Sequence, residues 1–196
     1  MKRIIIAAAV VLAIPYAAVA STWNIDPDHS NLGFKIKHLM VSNVKGNFER
    51  YSGVVEINDK DITKSKVEVT IDVNSVNTNV KKRDDHLRSA DFFDVAKYPT
   101  MTFVSKKVAV EGPDKLKVTG DFTLHGVTKE VVLDLEGPTG ESKDPWGNTR
   151  KGATATTKIN RKDYGLTWNK ALETGGVLVG DEVELTLEVE MIKKQQ

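Results

Sequence analysis

Alternation with a period of two runs through most of this chain and constrains its fold more than any other feature. Across Asn31–His38, Leu32, Phe34, Ile36 and His38 fall on one face, and Lys35 and Lys37 on the other. Over residues 66–74, Val67, Val69, Ile71 and Val73 alternate with Glu68, Thr70 and Asp72. Leu116, Val118, Phe122 and Leu124 share a face, and over residues 183–191 every second residue is apolar, with Glu184, Thr186, Glu188 and Glu190 between. Neighbouring side chains of a strand point to opposite sides, so each segment predicts an antiparallel strand with one wet and one dry face. Weaker versions cover residues 23–26, 44–57, 100–110, 130–136 and 152–160. That makes about eight or nine strands, the pattern of an all-β sandwich or barrel.

Turn chemistry separates the strands. Asn58-Asp59-Lys60-Asp61, Glu111-Gly112-Pro113-Asp114 and His125-Gly126-Val127-Thr128 read as tight links, and residues 137–147 as a longer loop. Helix is expected once, over residues 80–90, with Thr78 or Asn79 as its cap. Asp91-Phe92-Phe93-Asp94 follows as a bulky elbow before Pro99. There is no internal repeat.

The dry faces carry Leu, Val, Ile, Phe and Met with few polar members. An eight-stranded barrel encloses just enough space for side chains or for one small ligand. Strand parity, allowing for bulges, turns Phe34, Ile36, Phe48, Val69, Ile71, Phe103, Phe122, Leu133 and Leu185 inward. Phe92 and Phe93 stand at an end, to plug it or to gate it. A packed core and a greasy pocket fit this pattern equally.

The first residues address the compartment. Lys2 and Arg3 precede an apolar run at residues 4–14, and Ala18-Val19-Ala20 follows. A basic start, a short apolar stretch and small residues at the cut form a secretory signal peptide over residues 1–20. The apolar run is too short to span a bilayer. Residues 21–196 then form one exported domain. Without Lys2 and Arg3, the 28 basic side chains come into near balance with 27 acidic ones, so no net field draws the protein to nucleic acid or membrane. Cysteine is absent, so stability rests on burial and ladder hydrogen bonds rather than disulfides.

Four blocks carry a resemblance. Trp23-Asn24-Ile25-Asp26-Pro27-Asp28-His29-Ser30 is followed by Phe34-Lys35-Ile36-Lys37-His38-Leu39. Next comes Arg83-Asp84-Asp85-His86-Leu87-Arg88-Ser89-Ala90-Asp91-Phe92-Phe93-Asp94, with Tyr98-Pro99. The last two are Gly120-Asp121-Phe122-Thr123-Leu124-His125-Gly126-Val127-Thr128-Lys129 and Ile159-Asn160-Arg161-Lys162-Asp163-Tyr164-Gly165-Leu166. In this order they resemble the YceI-like polyisoprenoid-binding proteins, over essentially all of residues 21–196. Asp85, a second acid before the histidine, is a small departure. The resemblance implies an extended, antiparallel, eight-stranded lipocalin-like barrel with one short helix, in the bacterial periplasm. It also implies a long isoprenoid chain in the pore, carried on a pyrophosphate or quinone head, and a homodimer.

The polar residues argue against catalysis. The four histidines, His29, His38, His86 and His125, show no H-x-H or H-E-x-x-H spacing, and no metal or other cofactor is expected. No G-x-S-x-G elbow exists, and Ser30 next to His29 would point to the opposite face. Arg83-Asp84-Asp85-His86 has two open readings. It is either a clamp holding the helix to the barrel or a charge-assisted grip on an anionic head. Arg161 with Asp163 and Tyr164 has the same two. His38, Arg83, His86 and Arg161 are thus the candidate head-group contacts. Phe34, Ile36, Phe48, Val69, Ile71, Phe92, Phe103, Phe122, Leu133 and Leu185 are the candidate tail contacts. The expected function is a non-enzymatic lipid carrier or store. The alternative is a small secreted hydrolase or isomerase acting on a lipid or an envelope sugar, which would need a perturbed acid or base in a pocket.

Overall fold

The computed structural model describes residues 20–171 and 176–195. The expected signal peptide therefore lies, but for Ala20, outside the described residues. The strands are β1 (Ser21–Ile25), β2 (Asn31–His38), β3 (Ser42–Phe48), β4 (Tyr51–Ile57), β5 (Lys66–Asp72), β6 (Val76–Asn77), β7 (Thr100–Gly112), β8 (Lys115–Leu124), β9 (Val127–Glu136), β10 (Ser142–Lys143), β11 (Thr149–Asn160) and β12 (Val179–Lys193). The helix α1 (Lys81–Arg88) lies between β6 and β7.

These segments build an eight-stranded, closed antiparallel barrel. β1 with β2, β3 with β4, and β5 with β6 are successive halves of three long staves. Each is broken where the chain must bend. Asp26 accepts from the Asp28 N–H at the first break. At the third, Asp72 accepts from the Asn74 N–H, so the strand expected over residues 66–74 ends at Asp72. β7, β8, β9 and β11 complete the wall. β12 closes it by pairing β11 on one side and β2 and β1 on the other.

One seam is narrow. β9 pairs β11 only over Thr154–Thr156 against Asp134–Glu136. Past that point the 3-10 turn Arg161–Tyr164 inserts the Tyr164 ring, 2% exposed, edge-on to Phe122 at 5.6 Å. Two glycines admit aromatic rings into the wall. A Cβ on Gly46 would stand 2.5 Å from the Phe34 ring, and one on Gly120 2.5 Å from the Phe103 ring.

The helix begins differently from the expectation. Val80 occupies the cap position, and neither Thr78 nor Asn79 caps the first turn with its side chain. Instead Asp84 reaches back and accepts from both the N–H and the hydroxyl of Thr78. Asn79 takes a left-handed φ of 60° that turns the chain into the helix. Among the described residues no helix is long and apolar enough to cross a membrane.

Candidate functional site

The barrel is not packed solid. It encloses a cavity of about 610 Å³ whose lining is almost wholly apolar. All the residues that strand parity turned inward line it: Phe34 and Ile36 from β2, Phe48 from β3, Val69 and Ile71 from β5, Phe103 from β7, Phe122 from β8, Leu133 from β9 and Leu185 from β12. Phe92 and Phe93 line it from the elbow after α1. Phe93 packs edge-on against Phe48 at 5.9 Å, so its role is at least partly packing.

The two ends differ. At the end where β1 starts, Trp23 is completely buried, with its indole N–H donated to the Ser21 hydroxyl. The ammonium groups of Lys151 and Lys193 cap its ring at 5.5 and 5.3 Å. Beside this plug the Arg150 guanidinium bonds Asp26, Asp144 and Glu190. Asp26, His29 and Glu190 lie close enough to suggest a metal site, but Arg150 already supplies the positive charge between two of them. Burial opposes ionisation of Asp26 and Asp144. Hydrogen bonds from Arg150 prevail, holding the Asp144 carboxyl at about 2 and lowering that of Asp26.

The other end is where the cavity meets solvent. Among the described residues, the three lining residues that are also exposed, Lys37, Val80 and Lys82, are all here. So are the candidate head-group residues His38, Arg83, His86 and Arg161. Among the described residues, every ionisable residue in the lining is basic, with no carboxylate among them. The one lining serine, Ser65, sits at the opposite end, away from both His38 and His86.

Much of this polar equipment has structural work. Arg83 donates to the hydroxyl and the carbonyl of Thr78, so the expected clamp runs through Thr78 rather than directly to Asp84. Arg88 ties the helix down by donating to the carbonyls of Asn74 and Val76. Arg161, 3% exposed, donates to the carbonyls of Gly180, Leu166 and Trp168. Burial lowers its pKa while Asp181 opposes the shift. Its Nη2 stands 3.5 Å from Asp181 and has no hydrogen-bond partner among the described residues. His86 bonds Asp91 at 2.9 Å and meets Phe92 and Trp168 edge-on at 5.0 and 4.9 Å, a three-ring cluster at the mouth.

Lys37, Lys82 and Trp168 were not anticipated as lining residues. Alternation places Lys37 on the wet face. It reaches the rim near the end of β2, where the β2–β12 register slips between Val179 and Val183. Lys82 stands on α1, outside the strand pattern. Trp168 belongs to no strand or helix, so no periodicity points it anywhere.

Residues 23–191 match the YceI-like domain family. The chain belongs to that family. A UPF0312 protein of Vibrio cholerae serotype O1 is 41% identical over 170 residues, covering 85% of this chain and 89% of the relative. A Campylobacter jejuni YceI protein of known crystal structure is 41% identical, with a TM-score of 0.69 over 82% of this chain and 91% of its own. A polyisoprenoid binding domain from Saccharophagus degradans shares the fold at 19% identity, with a TM-score of 0.64 over 88% and 98% of the two chains. The YceI-like barrel here thus combines a plugged end, an apolar lumen and basic residues lining the mouth.

Proposed function

We propose that this protein is a non-enzymatic binding protein that holds a long-chain polyisoprenoid lipid in its lumen, for carriage or storage in the periplasm. The observation that carries the reading is the cavity. Its volume lies in the range of ordinary ligand pockets, and apolar side chains from β2, β5, β7 and β12 line it. Burying a hydrocarbon tail contributes about 25 cal/mol per Å² of apolar surface, so a long chain binds without further chemistry. The polyisoprenoid binding domain from Saccharophagus degradans shares this architecture and supports the choice of ligand. The basic residues that line the mouth favour a pyrophosphate head over a neutral quinone, with His38, Arg83 and His86 nearest to hand. Arg161 serves mainly to organise the backbone carbonyls around it.

The hydrolase or isomerase alternative has less support. An acid–base mechanism needs a paired acid and base within reach of one substrate, and the lining offers cations at one end and a lone serine at the other.

Delipidation tests the reading. A ligand that binds only the folded state stabilises it by about 2.7 kcal/mol at a hundredfold excess over Kd. Protein reloaded with a polyprenyl pyrophosphate should melt well above delipidated protein. Ile71→Asn, which puts an amide on the lumen wall, should lower that gain. Equal midpoints with and without the lipid would leave the cavity without its proposed occupant.

A further inference from the structure

The β2–β3 hairpin carries three consecutive large apolar residues at its tip, and the turn gives no reason for them. Leu39, Met40 and Val41 are 38%, 60% and 83% exposed. Leu39 and Met40 hold φ values of 52° and 60°. Tight hairpin turns ordinarily fill such positions with Asn or Gly, because bulky side chains are disfavoured there. Contiguous exposed apolar surface marks a site of interaction more often than it serves the fold.

The tip stands on the rim of the lumen. Lys37 and His38, immediately before it, line the cavity, and the Leu39 N–H donates to the carbonyl of Leu178, another lining residue. Across the mouth, Val80 and Lys82 are exposed on the same rim. Among the described residues, nearby carboxylates are already engaged: Asp85 by Lys81 and Arg88, Asp91 by His86, Glu184 by Lys35, Asp181 by Lys162. Lys37 and Lys82 thus face solvent beside an apolar tip, a local asymmetry that the near-zero net charge hides.

We infer that this rim docks reversibly on the surface of an anionic lipid bilayer. Leu39, Met40 and Val41 enter the boundary between headgroups and acyl chains, while Lys37 and Lys82 lie at the level of the lipid phosphates. Docking sets the mouth against the membrane, so an isoprenoid tail moves between bilayer and lumen without passing through water. The transfer role rests on the lipid-holding reading above, whereas the docking rests on the rim alone.

The experiment is co-sedimentation of the full protein with phosphatidylglycerol vesicles, beside phosphatidylcholine vesicles, followed by extraction of the protein. The expected result is association with the anionic vesicles that weakens in high salt. The double variant Met40→Asp, Val41→Asp should lose that association roughly tenfold or more, since charges replace apolar contact at the interface. Its circular dichroism and melting should match the parent, because both residues lie outside the core. Parent that stays in solution, or a variant that sediments equally well, overturns the inference. A tip that instead joins two copies of the chain, seen as a dimer that the double variant splits without any vesicle binding, also overturns it. Vesicle association with no polyprenyl lipid taken up from doped vesicles would sustain the docking and defeat the lipid-holding reading; uptake without association would do the reverse.

Discussion

At the residue scale, the most consequential side chain outside the lumen is Arg150. It draws together Asp26 from the end of β1, Asp144 from the loop after β10, and Glu190 from β12. The Asp144 carboxyl is depressed from 3.8 to about 2 in the folded chain. A depressed carboxylate stabilises the fold fully above its unfolded value and loses that contribution as pH falls through its folded value. The melting midpoint should therefore hold steady down to about pH 4 and fall between there and pH 2. Arg150→Gln should lower the midpoint at neutral pH and flatten this acid limb, because the carboxylates lose the cation that depressed them. Identical pH profiles for parent and variant would show that the network contributes nothing. None of this was legible in the sequence. Arg150 and its partners are brought together by barrel closure, and alternation says only that a side chain points in or out, not which charge from a distant strand it meets. By contrast, the inward set from Phe34 to Leu185 was legible, because parity along a strand is a local property.

At the element scale, the strands were read with nearly their observed bounds; the break between β1 and β2 was read too, and the breaks in the other two staves were not. The weak segment at residues 44–57 is two strands, β3 and β4, parted at Glu49 and Arg50. Such bends follow from wrapping a sheet into a barrel, which no local pattern encodes. The helix was found, but its start was misread because Thr and Asn are strong caps by propensity. Here Thr78 serves as the partner of Asp84 instead, four residues into the helix. This contact holds α1 against the mouth. Asp84→Ala should leave the buried N–H and O–H donors of Thr78 without their acceptor and destabilise the fold by about 1–3 kcal/mol. Urea unfolding would register this as a lower midpoint with an unchanged slope. An unchanged midpoint would mean that water replaces the carboxylate without penalty.

At the scale of the whole molecule, the decision between a packed core and a lumen depended on something strand pattern cannot express. Both arrangements need the same inward Leu, Val, Ile and Phe. What differs is whether opposite walls touch, and here they leave a cavity of about 610 Å³. Trp23 under its two lysines closes one end, while His38, α1 and the Phe92–Trp168 cluster frame the other. For the proposed lipid, that polarity sets one orientation, tail inward and head among the basic residues of the mouth. The most direct test is native mass spectrometry of the intact protein after incubation with a polyprenyl pyrophosphate. The expected spectrum shows one lipid per barrel, and the complex is lost when Phe34→Asp places a carboxylate on the lumen wall. A spectrum of bare protein at every lipid concentration, or a complex indifferent to that substitution, would contradict the account.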